Sequence, residues 1–229
     1  MSRHPHNSMT RAKTFIKQAI LFDLDGVLVD STIAVERVWR AWASRHGLDA
    51  EQLISAAHGR RTIETVREFT PQLNAEAEAA TLESAEVSDS DGLRAIRGAG
   101  ELIAQIPSAR WAICTSGTNR LATSRLRALG LRIPAVLITA EMVSNGKPHP
   151  EPYILAAKRL GLNASDCLVF EDAPAGILSG KRAGAVVIAV ATTYPVSELK
   201  NADAIVSDLC AIEVSVDDPG LRISIAAGE

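Results

Sequence analysis

The chain has 229 residues, 47% of them hydrophobic, and a formal net charge of −3. This length and apolar content allow one α/β core, with or without a smaller inserted domain. The mild acidity gives no electrostatic basis for binding nucleic acid or an anionic membrane surface, and no apolar run is long enough to cross a bilayer. Those two partner classes are therefore excluded, whereas monomer and dimer both remain open.

The first 17 residues carry positive charges, but no apolar segment or small-residue cleavage site follows them. They predict a flexible N-terminal tail rather than a signal peptide. Three widely spaced cysteines, Cys114, Cys167 and Cys210, show no metal-ligand spacing. An odd number of cysteines without a signal peptide favours free thiols and a reducing cytoplasm.

Apolar runs of β-type composition alternate with helical patterns along most of the chain. The predicted strands lie at 19–23, 111–115, 135–139, 167–170, 186–189 and 204–206. The predicted helices lie near Glu101 and at 119–129, 150–160 and 174–183. This alternation with short connections indicates right-handed crossovers and a doubly wound parallel sheet, of Rossmann-like α/β class. The nearly continuous apolar strands fit a sheet that is covered on both faces.

One segment, residues 31–93, interrupts this alternation because it contains helix signals and no strand. Its first helix has an apolar stripe that includes Trp39 and Trp42 and ends at Gly47, and we interpret the stripe as core. The simplest interpretation is a helical domain inserted between the first two strands. The core domain then comprises 18–30 and 94–215, and 216–229 is predicted to be a C-terminal tail.

Polar side chains gather where the predicted parallel strands end, which is the edge at which open α/β sheets bind ligands. The first predicted strand ends in Asp23, with Asp25 just past it, and "CTSGT" spans the end of the second. "FEDAPAG" contains the end of the fourth, with "NGKPHP" shortly before that strand. The candidate site residues are Asp23, Asp25, Thr115, Ser116, Lys147, Glu171 and Asp172.

This set of residues is suited to phosphoryl transfer. Carboxylates of Asp23 and Asp172, with Glu171 as a further candidate and a backbone carbonyl at Asp25, offer the oxygen ligands that Mg²⁺ prefers. Lys147, the Thr115 hydroxyl and the N-terminus of the helix opened by "TSGT" can offset the charge of a phosphate. A carboxylate can also attack phosphorus while a second acid moves the proton.

Four motifs, "DLDGVLVDS", "CTSGT", "GKPHPEPY" and "FEDAPAG", resemble in type and order those of the haloacid dehalogenase-like hydrolase superfamily. The resemblance covers about residues 20–191, and 31–93 is similar to the small helical cap that this superfamily inserts after its first motif. "HGRRT" and "VATTYP" extend the resemblance to sugar-phosphate phosphatases, of which the glycerol-phosphate and 2-deoxyglucose-6-phosphate phosphatases are the nearest types.

The resemblance assigns each core residue a role. Asp23 is expected to be the nucleophile and an Mg²⁺ ligand, and Asp25 the acid and base whose carbonyl also ligates the metal. Thr115, the Ser116 N–H and Lys147 are expected to bind the phosphoryl group. Asp172 is expected to hold Mg²⁺, assisted by Glu171 directly or through water.

The cap is expected to choose the substrate, a small sugar or polyol phosphate, and the "HGRRT" segment supplies its candidate specificity residues, His58, Arg60 and Arg61. A phosphosugar mutase of the β-phosphoglucomutase type, which passes the phosphoryl group to a second hydroxyl, remains the alternative. A receiver domain of a signalling protein combines similar residues, but there the acid pair precedes the acceptor and no helical cap is inserted.

Overall fold

The structure is a computed structural model that describes residues 13–226. Its strands are β1 (Lys13–Lys17), β2 (Ala19–Phe22), β3 (Val29–Asp30), β4 (Arg94–Ala95), β5 (Trp111–Cys114), β6 (Val136–Ile138), β7 (Cys167–Glu171), β8 (Val186–Val190), β9 (Ala204–Val206), β10 (Ile212–Asp217) and β11 (Gly220–Ile225). Its α-helices are α1 (Thr32–His46), α2 (Ala50–Ala57), α3 (Thr62–Phe69), α4 (Ala75–Ser88), α5 (Ala99–Gln105), α6 (Asn119–Ala128), α7 (Glu151–Arg159) and α8 (Pro174–Arg182). Among the residues described, no helix is long and apolar enough to span a membrane.

A six-stranded parallel sheet forms the centre of the molecule, with the strand order β6-β5-β2-β7-β8-β9. Each of the six predicted strands matches one of these strands to within one residue at either end. The helices that connect them also lie where the sequence predicts. The predicted α/β class and doubly wound sheet are therefore confirmed.

Helices cover both faces of this sheet, and the alternation of side chains along β2 shows why. Ile20 and Phe22 point into the apolar layer beneath α5 and α6, whereas Ala19 and Leu21 point into the layer beneath α7 and α8. Successive side chains of a strand alternate between faces, so a strand buried on both sides must be apolar throughout.

The segment between β3 and β4 forms four helices, α1 to α4, with an apolar cluster of its own. Trp39, Trp42, Leu53 and Leu82 are buried in that cluster, which confirms that the tryptophan stripe is core. The chain leaves and re-enters the central domain through the antiparallel β3–β4 ribbon, in which Val29 pairs with Ala95. The predicted limits of the cap, residues 31 and 93, adjoin this ribbon.

The structure corrects the predicted tails. Residues 13–17 and 212–225 form an antiparallel sheet of order β1-β11-β10, so the segments 13–17 and 216–225 are not flexible ends. Alternate side chains of β11, Leu221, Ile223 and Ile225, join the central apolar cluster, and burial of this apolar face holds the sheet in place. The rest of the N-terminal tail prediction, residues 1–12, lies outside the described residues, as do residues 227–229.

Candidate active site

The adjacent strands β5, β2 and β7 bring the predicted site together at their carboxyl ends. Asp23 directly follows β2, Thr115 directly follows β5, and Asp172 directly follows β7. All three side chains are almost completely buried. Their proximity follows from strand order, since neighbouring parallel strands end at the same edge.

Lys147 enters this edge from the loop before α7 and neutralises part of its charge. Its Nζ lies 2.7 Å from Asp23 Oδ1 and 2.6 Å from Glu171 Oε1. Burial opposes the charged form of Lys147, but the negative charges of Asp23 and Glu171 outweigh this effect and raise the pKa of the ammonium above its ordinary value. Lys147 is therefore a fixed positive charge at the site.

Glu171 is surrounded by donors that satisfy both of its oxygens. The Tyr153 hydroxyl donates to Oε1 over 2.7 Å, beside Lys147, and the backbone N–H groups of Asp172 and Ala173 donate to Oε2. A Cβ atom at Gly176, in the first turn of α8, would lie 1.7 Å from Oε1. The Glu171 carboxylate is thus held tightly, and it in turn positions Lys147, whose Nζ donates to Oε1 over 2.6 Å.

Gly26 allows the loop after β2 to lie against Asp172. It has a φ of +80°, and a Cβ there would lie 2.0 Å from Asp172 Oδ2 and 2.6 Å from Thr193 Oγ1. Glycine adopts this left-handed conformation without a steric penalty and leaves room for the carboxylate.

Three acids at this edge fit a divalent cation. One ligand oxygen from each of Asp23, Glu171 and Asp172 lies within 4.8 Å of the others. Burial, opposed by Lys147, raises the pKa of Asp23 to about 7, and burial followed by the charge of Glu171 raises the pKa of Asp172 well above its ordinary value. One lysine thus faces three buried carboxylates, and a hard cation with oxygen ligands would supply the positive charge that they need.

Asp25 lies at the border between the core and the cap. Its Oδ1 accepts hydrogen bonds from Ser31 Oγ at 2.8 Å and from Arg125 Nη1 at 2.7 Å. Arg125 also donates through Nη2 to Glu86 of α4, over 2.7 Å. Ser31, Arg125 and Glu86 are absent from the sequence-based prediction of the site. A usable signal exists for two of them, because Arg125 and Glu86 interrupt the otherwise apolar buried faces of α6 and α4.

The "CTSGT" segment forms the turn before α6. The Gly117 N–H donates to Thr115 Oγ1 over 3.0 Å, and Thr118 caps the helix by accepting from Leu121 N. The Ser116 hydroxyl donates to the backbone oxygen of Gly59 in the cap. The hydroxyl of Ser116 therefore connects the two domains, which leaves its backbone N–H as the group available to a ligand.

A cavity separates this edge from the cap. From the core it is lined by Asp23, Asp25, Thr115, Ser116, Arg125 and Asp172. From the cap it is lined by Val35, Trp39, His58, Arg60, Thr62 and Glu86. Both walls carry polar and apolar side chains, as expected of a site for a small polar molecule.

The three predicted specificity residues occupy different positions. His58 and Arg60 line the cavity; His58 packs edge-on against Tyr194, and burial lowers its pKa. Arg61 lies outside the cavity lining. It pairs with Glu64 and donates to the backbone oxygens of Val143 and Ser144, both over 3.1 Å. Arg61 thus forms a contact between the cap and the core in this structure, and its role in substrate choice stays a prediction.

The family model for "haloacid dehalogenase-like hydrolase" matches residues 17–184. The chain therefore belongs to the haloacid dehalogenase-like hydrolase family, and the family resemblance deduced from the four motifs is confirmed.

The chain is similar to curated proteins that are named as phosphatases of sugar and polyol phosphates. The chain is 42% identical to hexitol phosphatase A of Escherichia coli, over 89% of this chain and 96% of that one. It is 38% identical to glycerol-1-phosphate phosphohydrolase 2 of Saccharomyces cerevisiae, over 80% of this chain and 78% of that one. Among solved structures, β-phosphoglucomutase from Clostridium difficile superposes with a TM-score of 0.73 and 25% identity, covering 84% of this chain and 92% of that one. The chain is an enzyme of the phosphoric monoester hydrolase class.

Proposed function

We propose that this protein is a Mg²⁺-dependent phosphatase that hydrolyses small sugar or polyol phosphate monoesters through an aspartyl-phosphate on Asp23. The observation that carries the proposal is the position of Asp23. It is buried at the end of β2, paired with Lys147 and close to Asp172, and it lines the cavity that the cap covers. The names of the curated relatives support the same substrate class.

In the first step a carboxylate oxygen of Asp23 attacks phosphorus, and the bond from phosphorus to the ester oxygen breaks. Asp25 donates a proton to the departing alkoxide, which leaves as the free sugar or polyol. Thr115 Oγ1, the Ser116 N–H and the Lys147 ammonium bind the phosphoryl oxygens and offset the charge of the transition state.

In the second step a water molecule attacks the phosphorus of the aspartyl-phosphate. Asp25, now ionised, accepts a proton from that water, and the bond from phosphorus to the Asp23 oxygen breaks. Inorganic phosphate leaves and both aspartates return to their starting states. One residue can serve both steps because the proton that it gives in the first is recovered in the second.

The metal would be held by the carboxylates of Asp23 and Asp172 and by the Asp25 carbonyl. Glu171, whose two oxygens already accept from four donors, would act mainly by holding Lys147 in place. When bound, Mg²⁺ would offset charge on the phosphoryl oxygens and make the phosphorus more susceptible to attack.

The cap accounts for substrate choice in this scheme. The core residues contact the phosphoryl group, which is the same in every phosphate monoester, so discrimination must come from groups that meet the rest of the substrate. His58 and Arg60 line the cap side of the cavity and offer hydrogen bonds to sugar or polyol hydroxyls. Arg61 and the Ser116–Gly59 contact hold the cap loop against the core.

A panel of hexitol phosphates, hexose phosphates, glycerol phosphates and aromatic phosphates, assayed for phosphate release with Mg²⁺, tests the proposal. We expect at least one polyol or sugar phosphate to be hydrolysed with a higher kcat/KM than p-nitrophenyl phosphate. Release from none of them would overturn the proposal. Isomerisation of a sugar phosphate faster than phosphate release would establish the mutase alternative instead.

A further inference from the structure

Arg125 is a buried cation on the inward face of α6, where its neighbours Leu121, Ala122 and Leu126 are apolar. Only 3% of the residue is exposed. Burial of a guanidinium costs free energy unless partners with good geometry compensate for it. The partners of Arg125 therefore indicate what the residue is for.

The two terminal nitrogens of Arg125 contact carboxylates from different domains. Nη1 donates to Asp25 Oδ1 in the core and Nη2 donates to Glu86 Oε2 in the cap, both over 2.7 Å. The side chain of Glu86 is itself only 5% exposed. Arg125 is thus the bridge between the proposed acid and a fixed point on cap helix α4.

The buried guanidinium of Arg125 carries a cost in stability. Within the described part of the chain, Arg125 Nε is buried and has no hydrogen-bond partner. A buried unsatisfied donor costs about 1–3 kcal/mol. Apolar side chains in place of both Arg125 and Glu86 would avoid that cost and the desolvation of two buried charges.

The contacts of Asp25 favour a role in orientation. Ser31 and Arg125 both donate to the same oxygen, Oδ1. Two donors on one oxygen fix the plane of the carboxylate and leave Oδ2 as the oxygen for the proton that the reaction moves.

We propose that Arg125 is a positioning residue that orients the Asp25 carboxylate and, through Glu86, makes this orientation depend on the seated cap. The inference rests on the proposed function, in which Asp25 donates a proton to the leaving group and later accepts one from water. When the cap packs against the core, Glu86 holds Nη2 of the guanidinium, and Nη1 then reaches Asp25. Asp25 is therefore oriented for proton transfer only when the cap is closed over the cavity that holds the substrate.

The test compares Arg125→Met with the wild type on two esters, the best sugar or polyol phosphate from the panel and p-nitrophenyl phosphate. Methionine keeps length and apolar contacts but removes both donors. Arg127→Met is the matched control, because Arg127 lies on the same helix and is exposed. Circular dichroism and thermal unfolding establish that each variant is folded.

A misoriented acid should slow the steps that need a proton. We expect Arg125→Met to lower kcat for the sugar ester by about 10–100-fold, a fraction of the full acid–base contribution. With p-nitrophenyl phosphate, whose leaving group needs no proton, rapid mixing should show a burst of one p-nitrophenolate per enzyme at close to the wild-type rate. Slow turnover should follow, because water still has to be deprotonated. Arg127→Met should behave as wild type.

A double-mutant cycle with Asp25→Asn tests whether Arg125 acts through Asp25. If it does, Arg125→Met should add no more than about threefold to the loss of kcat already caused by Asp25→Asn. Arg125→Lys keeps the positive charge but cannot contact both carboxylates with two terminal nitrogens, so it should recover part of the activity. Glu86→Gln should show a weaker form of the same ester-selective loss. If Arg125→Met does not fold, the same kinetic comparison is made with Arg125→Lys and Glu86→Gln.

Equal slowing of the burst and of the sugar ester, or additive losses in the cycle, would overturn the inference and leave Arg125 a structural residue. Unchanged kcat in Arg125→Met would overturn it as well. A wild-type enzyme that hydrolyses no ester of the panel would instead remove the proposed function, and the inference with it.

Discussion

Lys147 Nζ lies 2.7 Å from Asp23 Oδ1, and side-chain exposures of 1% and 6% place both groups inside the protein. A salt bridge this deeply buried contributes little net stability, since desolvation of both charges offsets their attraction. Loss of Lys147 would be costly, because it would leave the Asp23 and Glu171 carboxylates buried without their shared cation. The pair is better explained by the reaction, in which Asp23 must stay ionised and the phosphoryl group needs a cation beside it.

Asp23→Asn should abolish turnover and keep the fold. The amide has nearly the same shape and relieves the crowding among three buried carboxylates, so the midpoint of thermal unfolding should stay the same or rise. A neutral amide is a poor nucleophile and ligand, and phosphate release should fall by more than about a thousandfold. Release within about a hundredfold of wild type would contradict the assignment of Asp23 as nucleophile.

Removal of divalent metal should remove activity. EDTA should abolish phosphate release, and Mg²⁺ should restore it better than Ca²⁺, which takes more ligands at longer distances and would misalign the reacting groups. Mg²⁺ should also raise the thermal midpoint of the wild type, since it binds the folded state. Asp172→Asn should reduce that shift sharply. Full activity after exhaustive chelation would disprove the metal site.

Gly176→Ala should damage both stability and activity through Glu171. The new methyl group would lie 1.7 Å from Glu171 Oε1, which Lys147 and Tyr153 hold in place. We expect a loss of about 1–3 kcal/mol in the free energy of unfolding, measured by urea titration, together with lower kcat. Gly100→Ala in α5 is the matched control.

The nearest atom to the new methyl group at position 100 is Leu131 Cδ2 at 3.8 Å, an ordinary contact. The control should therefore be neutral or stabilising by up to about 1 kcal/mol. Equal tolerance of alanine at both positions would show that the Glu171 carboxylate can move freely.

Arg60→Ala and Arg61→Ala should have different effects, because only Arg60 lines the cavity. Arg60→Ala should raise KM for the preferred sugar or polyol ester by about 10–100-fold and change KM for p-nitrophenyl phosphate much less. Arg61→Ala removes the contacts to Val143 and Ser144, so it should affect both esters to a similar extent. Steady-state kinetics on both esters distinguishes these outcomes, and ester-selective loss in Arg61→Ala would contradict the position of that residue.

Glu83 of α4 should make stability fall as the pH rises toward neutrality. Burial, followed by the charges of Glu141 and Glu86, raises its pKa from 4.5 to about 7. The folded state therefore binds the proton more tightly than the unfolded state, and stability is lost between pH 4.5 and about 7. Glu83→Gln removes the titrating group.

Urea titrations at several pH values would measure the effect of Glu83→Gln. The variant should match wild type near pH 4 and be more stable above pH 7 by about 1 kcal/mol, a value discounted for a side chain that is only half buried. A difference independent of pH would show that Glu83 does not titrate as expected.

Much of the fold can be predicted from the sequence because its signals are local. Strands such as 111–115 and 167–170 are nearly continuous apolar runs, which is the pattern of strands buried on both faces. Their alternation with helices is compatible with few topologies. The terminal strands β1, β10 and β11 were not predicted, although Leu221, Ile223 and Ile225 alternate with less apolar residues. A strand at the end of a chain is recognisable only with its partner, and β1 and β11 are separated by almost the whole chain.

The core of the candidate site was also predicted, because the short motifs carry its chemistry and parallel strands bring their carboxyl ends together. The amino-acid sequence alone therefore determined which acids and which lysine meet at the sheet edge. Only the tertiary structure decided how the cap meets them. In that structure Arg60 lines the cavity, whereas Arg61 contacts the backbone of the core at Val143. Arg125 lies between Asp25 and Glu86. Those contacts join residues far apart in the chain, and their geometry depends on how the two domains pack, which no local pattern encodes.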